Sequence, residues 1–280
     1  VTGEVALGKI RSGEAKMAEQ ILSGRMAIVT GGAKGLGRAI ALELATKGAS
    51  VAIADVDAAS SNQVVEEIGK KGARAISVPC DLRKEADVQE MVKKTLSAFS
   101  KIDVLVNNAG LGKVAPLWET PTDVWDETMD VNLRGCYLCI KYVIPQMIEQ
   151  KAGRVINMSS AVGRQAQPLM GAYAISKAGQ IAMTVALAKE VAAHGITVNA
   201  VCPGPVETSW WNENRKALAP ILNVPESEVT NWFTQQKQAI KVPLKPGDIA
   251  RVVAWLASDD TKMITGQLIG IDGGHDFPTY

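Results

Sequence analysis

Residues 26–48 read MAIVTGGAKGLGRAIALELATKG, and their pattern decides the fold. "MAIVT" is an apolar run of strand length, and "GLGRAIALELATKG" places apolar residues at helical spacing before closing on Gly48. Between them lies "TGGAKGLG", Thr30 to Gly37, which carries a strand directly into a helix. Gly31, Gly35 and Gly37 give the spacing G-x-x-x-G-x-G, different from the commoner G-x-G-x-x-G. Tight strand-to-helix turns use glycine on steric grounds alone. At this junction, however, a glycine-rich turn also lets the backbone approach a pyrophosphate at a helix N-terminus.

The same alternation continues along the chain. "SVAIAD", "RAISVPCD", "IDVLVNNAG", "GRVINMSS", "ITVNAVCPG" and "GQLIGIDGG" read as further strands. "ASSNQVVEEIGKKG", "EADVQEMVKKTLSAFS", a long segment around 123–151, a helix starting near Tyr173 and "PGDIARVVAWLASD" read as helices between them. Continuous apolar strands separated by amphipathic helices predict an α/β fold: one doubly wound Rossmann domain over 26–280, with about seven parallel strands and helices on both faces. No internal repeat or linker marks a second domain. Residues 1–25 are polar and rich in small residues, without the apolar core of a signal peptide, and read as a flexible arm. Met17 is a candidate natural start.

Bulk properties narrow the partners. Thirty basic residues face 29 acidic ones, so net charge gives no reason to expect nucleic acid or an acidic membrane. No apolar run approaches the roughly 20 residues of a membrane helix. Cys80, Cys136, Cys139 and Cys202 make no disulfide framework in a chain of 280 residues, which points to the cytoplasm. Cys136 and Cys139 form a C-x-x-C, but their neighbours Leu138, Ile140, Val143, Ile144 and Met147 make that segment a buried helix. His194 and His275 lie far from any ligand-like spacing and read as structural or exposed, so no metal is expected.

Asp55 ends the second strand, 18 residues past Gly37. A carboxylate there suits the two hydroxyls of an adenosine ribose and repels a 2′-phosphate. Lys34, in the glycine-rich turn, pulls the other way. Because Asp55 would face the 2′ position itself, the expected cofactor is NAD rather than NADP. Tyr173 and Lys177, in "GAYAISKAGQ", stand four residues apart and so share a helix face. A tyrosine of pKa about 10 is a poor base near neutrality, and an adjacent cation would bring it nearer a useful range. Tyr and Lys at this spacing also arise by chance, so the pair carries weight only in its context.

That context resembles the short-chain dehydrogenase/reductase family from about Met26 to Gly274. The resemblance rests on "TGGAKGLG", Asp55, "CDL" at 80–82, "NNAG" at 107–110, "VN" at 131–132, "MSS" at 158–160, the Tyr173–Lys177 motif, "PGPVET" at 203–208 and "GQLIGIDGG". Their order and spacing together make it specific. It implies that Gly31, Gly35, Leu36 and Gly37 hold the pyrophosphate, and that Asp81 and Leu82 border the adenine. Asn108 then belongs to the adenosine ribose region, and Val206 and Thr208 to the nicotinamide carboxamide. Asn107 is expected to be structural, and Ala109 and Gly110 to leave room for the cofactor. Tyr173 would exchange the proton, Lys177 would lower its pKa and bind the nicotinamide ribose, and Asn132 would support a water linking Lys177 to solvent. Family spacing, thirteen residues before Tyr173, selects Ser160 over Ser159 to hold the substrate oxygen.

The implied activity is hydride transfer between NAD and a small secondary alcohol, diol or polyol and its ketone. A 3-oxoacyl-carrier-protein reductase using NADPH is the alternative, and a non-catalytic dinucleotide-binding protein a third reading. Residues 209–243, with Trp210, Trp211, Trp232 and Phe233, read as a helical lid or, failing that, a subunit contact. Val162, Gln165, Gln167 and Leu169 are further pocket candidates, and Arg164 a candidate partner for a substrate carboxylate. The family's habit of assembling through long helices implies a homodimer or homotetramer, with the apolar helix at 135–148 as the contact.

Overall fold

The computed structural model describes residues 20–275. The proposed start at Met17 and the first nineteen residues of the arm lie outside the described residues. Residues 20–25 are part of the fold instead of a free arm: Leu22 is fully buried and its N–H donates to Lys47 O at 2.9 Å.

Seven parallel strands form one sheet: β1 (Met26–Thr30), β2 (Ser50–Asp55), β3 (Ala75–Pro79), β4 (Val104–Asn107), β5 (Gly153–Met158), β6 (Ile196–Pro203) and β7 (Leu268–Ile271). Their order is β3-β2-β1-β4-β5-β6-β7. Successive strand residues point to opposite faces, so both faces are apolar and both must be covered. Ile28, Leu105, Val155 and Val198 face one side. There they pack on α3 (Glu85–Phe99), α5 (Gly135–Gln150) and α6 (Gly171–Val191). Val29, Val51, Ile53 and Val106 face the other. Their partners are α1 (Gly35–Thr46), α2 (Ala58–Lys70) and α9 (Pro246–Leu256). Fully burying one such side chain contributes roughly 1.5–3 kcal/mol, which is why the alternation dictates the layers. Three further helices of eight residues or more are α4 (Thr122–Met129), α7 (Ser209–Leu222) and α8 (Val229–Lys237).

The order reverses between β1 and β4, and the crevice at the carboxyl ends of the strands opens at that reversal. The strands stop short of the motifs that follow them. Cys80 to Leu82 lie beyond β3, and Asn108 to Gly110 beyond β4, so these residues are released to line the crevice.

The long helix read over 123–151 is interrupted. A π turn, Asp130–Arg134, separates α4 from α5 and carries the fully buried Asn132. Such turns reorient a backbone carbonyl that a regular helix would keep for itself. The apolar residues of 135–148 pack inward. Leu138, Cys139, Ile140, Val143, Ile144 and Met147 are buried in the chain's own core. The exposed apolar group on that helix is Tyr137, at 49%.

Candidate active site

A cavity of about 710 Å³ runs along the crevice, within the range of small-molecule and cofactor sites. Its floor at one end is the glycine-rich turn. Gly31 has φ +62°, and a Cβ on it would lie 2.8 Å from Ala109 Cα. A Cβ on Gly37 would lie 1.9 Å from Gly31 O. The turn is therefore folded so tightly that only hydrogen fits at these positions. Thr30 and Asn108 clamp it: Asn108 N and Ala109 N donate to Thr30 Oγ1 at 3.0 and 3.1 Å, and Asn108 Nδ2 donates to Thr30 O and Gly31 O at 2.9 and 3.1 Å. Asn108 thus lines the cavity while its amide N–H groups hold the turn, a task the sequence reading did not give it. Leu36 and Gly35 complete this wall, and a Cβ on Gly35 would meet Thr208 Cβ at 3.6 Å across the cavity mouth. Thr208 caps α7, accepting from Trp211 N at 3.3 Å, with Val206 behind it.

Asp55 sits where β2 ends, its carboxylate accepting from Ala33 N and Asp57 N, each at 3.0 Å. It ties the second strand to the glycine-rich turn and lines the cavity. Lys34, the competing charge, is paired: its Nζ lies 2.6 Å from Asp57 Oδ2. That hydrogen bond raises the Lys34 pKa and holds Asp57 well below the usual carboxylate range. Beyond them Asp81 accepts two bonds from the Arg83 guanidinium, both at 2.9 Å, which depress its pKa, and Leu82 packs beside it.

At the opposite end of the same cavity the chain brings together Ser160, Tyr173 and Lys177. Ser160 follows β5 and caps the turn Ala161–Arg164; its hydroxyl is hydrogen-bonded to Tyr173. Ser159 points away and donates to Lys177 O at 2.9 Å, so of the two serines it is Ser160 that faces Tyr173. Gly112 packs on the tyrosine: a Cβ there would lie 2.7 Å from Tyr173 Cδ2. Gly110 is small because of the lysine, since its Cβ would lie 3.2 Å from Lys177 Nζ and 3.3 Å from Asn132 Oδ1.

Lys177 is buried, with Nζ 5.6 Å from the Tyr173 ring centroid, donating to Met158 O at 2.7 Å and Gln180 Oε1 at 3.1 Å. Burial drives its pKa down to about 8. The expected depression of the Tyr173 pKa is not what the chain alone produces. Burial pushes Tyr173 up to about 12, and the bond with Ser160 only partly offsets this. Asn132 is held by the chain itself. Its side chain is closed on Leu111 N and O, each at 2.8 Å, and on Ser176 Oγ at 2.9 Å. Its carbonyl accepts from Gln180 Nε2 at 2.7 Å. The Gln180 amide therefore bridges the Asn132 carbonyl and the Lys177 ammonium. Gln180 shares its helix face with the buried polar residues Ser176, Lys177 and Thr184, and its place in the sequence alone did not mark it out.

Other readings resolve plainly. Asn107 donates to Asn157 Oδ1 at 2.8 Å within the sheet, the structural role expected. Cys136 and Cys139 are buried, and burial pushes the Cys136 thiol up to about 12. Arg164 pairs with Asp272 at 3.6 Å. Val162, Gln167 and Leu169 line the cavity, as does His275, which stacks on Phe233 with centroids 6.3 Å apart and so differs from the bland reading. The roof comes from α7 and α8. Trp211, Leu218 and Val229 form a small core there, Trp211 Nε1 donates to Thr230 Oγ1 at 2.9 Å, and Phe233 meets Trp211 edge-on at 5.3 Å. The side chain of Trp210 lies outside the described residues.

Residues 31–276 match the family described as enoyl-(acyl carrier protein) reductase. A 3-oxoacyl-[acyl-carrier-protein] reductase of Staphylococcus epidermidis is 39% identical over 255 residues, covering 89% of this chain and 98% of that protein. Levodione reductase superposes with a TM-score of 0.86 at 32% identity, over 90% of this chain and 98% of the other. NAD+-bound xylitol dehydrogenase gives 0.86 at 31%, over 90% and 99%. The chain belongs to the short-chain dehydrogenase/reductase family. As a short-chain dehydrogenase/reductase it is an oxidoreductase acting on CH–OH groups, with a nicotinamide dinucleotide as cofactor. That sets aside the non-catalytic reading.

Proposed function

We propose that this chain interconverts a secondary alcohol and its ketone with NAD(H), with Tyr173 moving the proton. The observation that carries the reading is the convergence of Ser160, Tyr173 and Lys177 at one end of a cavity whose other end is the glycine-rich turn and Asp55. The residues present suit a dinucleotide: a turn in which Gly31 and Gly37 admit no Cβ, beside a carboxylate at the strand end. When bound, the nicotinamide supplies or accepts the hydride. The protein handles the proton and the geometry. Ser160 and Tyr173 hold the reacting oxygen between two hydroxyls. With its pKa raised by burial, Tyr173 is a neutral phenol near pH 7, ready to donate to a ketone oxygen and to take the proton back in the reverse direction. Lys177 supplies a buried positive charge beside the pair and a donor for the nicotinamide ribose.

NAD is favoured over NADP because Asp55 places a negative charge at the end of β2, while Lys34, the competing cation, is paired with Asp57. Asp55→Asn keeps one oxygen to accept from the backbone while removing the charge. It is expected to raise kcat/KM for NADPH at least about tenfold relative to NADH, corresponding to roughly 1.4 kcal/mol. An unchanged ratio measured with both cofactors would place the selectivity elsewhere.

Under α7 and α8 the walls are Trp211, Leu218, Leu222, Trp232 and Phe233, which suits an apolar substrate body better than a polyol. These two helices act as the lid. The names of the relatives favour a second substrate reading, a 3-oxoacyl thioester, which also has an apolar chain to bury. A panel of secondary alcohols, cyclic and aromatic ketones and 3-oxoacyl thioesters, followed by NADH and NADPH absorbance, separates the two. Turnover of none of them would overturn the assignment. The four free buried thiols suit the cytoplasm, and a homodimer or homotetramer is the assembly proposed from the family resemblance.

A further inference from the structure

Gln180 lies three residues beyond Lys177 on α6 and is fully buried. Its Oε1 accepts from Lys177 Nζ at 3.1 Å, and its Nε2 donates to Asn132 O at 2.7 Å. The surroundings fix which way the amide points. Turned over, its NH₂ would face an ammonium and its oxygen a carbonyl, losing both bonds. The carbonyl it meets belongs to the π turn, where the interrupted helix ladder turns that carbonyl toward the side chain. Met158 O, at 2.7 Å, is the second acceptor of the ammonium. Two of the three lysine donors are thereby held by the protein, leaving one for the cavity that Lys177 lines.

We propose that Gln180 is a positioning residue for Lys177, its amide bracing the ammonium against the Asn132 carbonyl so that the lysine stays charged and aimed at the cavity. This rests on the reading of Tyr173 and Lys177 as the proton-handling pair. The bridge conveys position and charge and not protons, because a neutral amide is both a very weak base and a very weak acid. Its effect on the lysine is electrostatic: an acceptor bonded to the charged form favours that form, against the burial that disfavours it. The groups facing Lys177 leave this to the amide. They are Cys136 from α5, Cys202 from β6, Tyr173 on its own helix, the main chain of Met158 and Gly110, and Asn132 of the π turn. No carboxylate is among them.

The experiment follows the Lys177 titration by NMR of protein labelled at lysine Cε, in the whole chain without substrate, and the alkaline limb of the kcat profile beside it. Gln180→Leu removes the acceptor and is expected to lower the Lys177 midpoint by about one pH unit, a tenfold change in its ionisation equilibrium. Gln180→Glu places an ionisable carboxylate there and is expected to raise the midpoint by at least as much. A purely structural role would weaken folding in both variants and leave the midpoint where it was. Unshifted midpoints, or shifts of the same sign in both variants, overturn the proposal. If the leucine variant does not fold, the sign of the shift in Gln180→Glu decides alone. The NMR titration needs no turnover, so failure of the proposed reaction shows up separately, as activity that survives loss of the Tyr173 hydroxyl.

Discussion

Tyr173→Phe is expected to lower kcat by about 10²–10⁴-fold, the usual worth of a positioned proton donor. The substitution isolates the hydroxyl. The ring keeps its packing on Gly112, where a Cβ would already stand only 2.7 Å from Tyr173 Cδ2, so the helix does not move. What is lost is the proton and the bond with Ser160. That bond contributes about 1 kcal/mol to stability, too little to unfold a domain of this size. Dinucleotide affinity should change little, because the glycine-rich turn and Asp55 lie at the other end of the cavity. The decisive measurement pairs steady-state turnover with calorimetric titration of NAD(H). Activity within a few-fold of the parent would remove Tyr173 from the proton-transfer role.

The second large effect falls on the glycine-rich turn. A Cβ at residue 37 would sit 1.9 Å from Gly31 O and 2.5 Å from Asn108 Nδ2, a backbone atom and the amide that clamps it. Neither is the free end of a flexible side chain, so Gly37→Ala must open the turn or tilt α1. The destabilisation is expected to be about 1–3 kcal/mol, as for other overpacked sites. The opened turn no longer presents its backbone to a pyrophosphate, and dinucleotide affinity should fall by at least about 100-fold, roughly 2.8 kcal/mol. Gly69→Ala is the control: no atom lies within 4 Å of its Cβ, and this helical glycine should gain roughly 0.5–1 kcal/mol on substitution. Thermal melts and cofactor titrations of both variants check the contrast. Equal affinity in Gly37→Ala and the parent would show that the turn is not the dinucleotide cradle.

Much of this molecule was legible before any coordinates. The strands "MAIVT" and "SVAIAD" are β1 and β2 to the residue, because an apolar run bounded by a glycine-rich turn or an acid has one favourable end at each side. The site was legible for a related reason. Its residues follow strand ends, and strand ends of a parallel sheet share one crevice. Thus Asp55, Asp81, Asn108, Ser160 and Val206 fell along a single cavity although they are far apart in the chain. The misses have a different origin. A helix pattern over 123–151 carries no mark of the π turn at Asp130–Arg134, whose Asn132 carbonyl accepts from a side chain of another helix.

By itself, then, the sequence determined the layers, the strand ends and which candidate residues meet in one crevice, because hydrophobic period and motif spacing are local properties of the chain. Tertiary structure decided how those groups are tuned. Where the Lys34 ammonium goes depended on where Asp57 lay, and the two pair at 2.6 Å. Where the Lys177 ammonium is held depended on which segments surround it, and its hydrogen bonds run to Met158 and Gln180. Charge and burial act through space over a few ångströms, so these settings became readable only when distant segments were brought into contact.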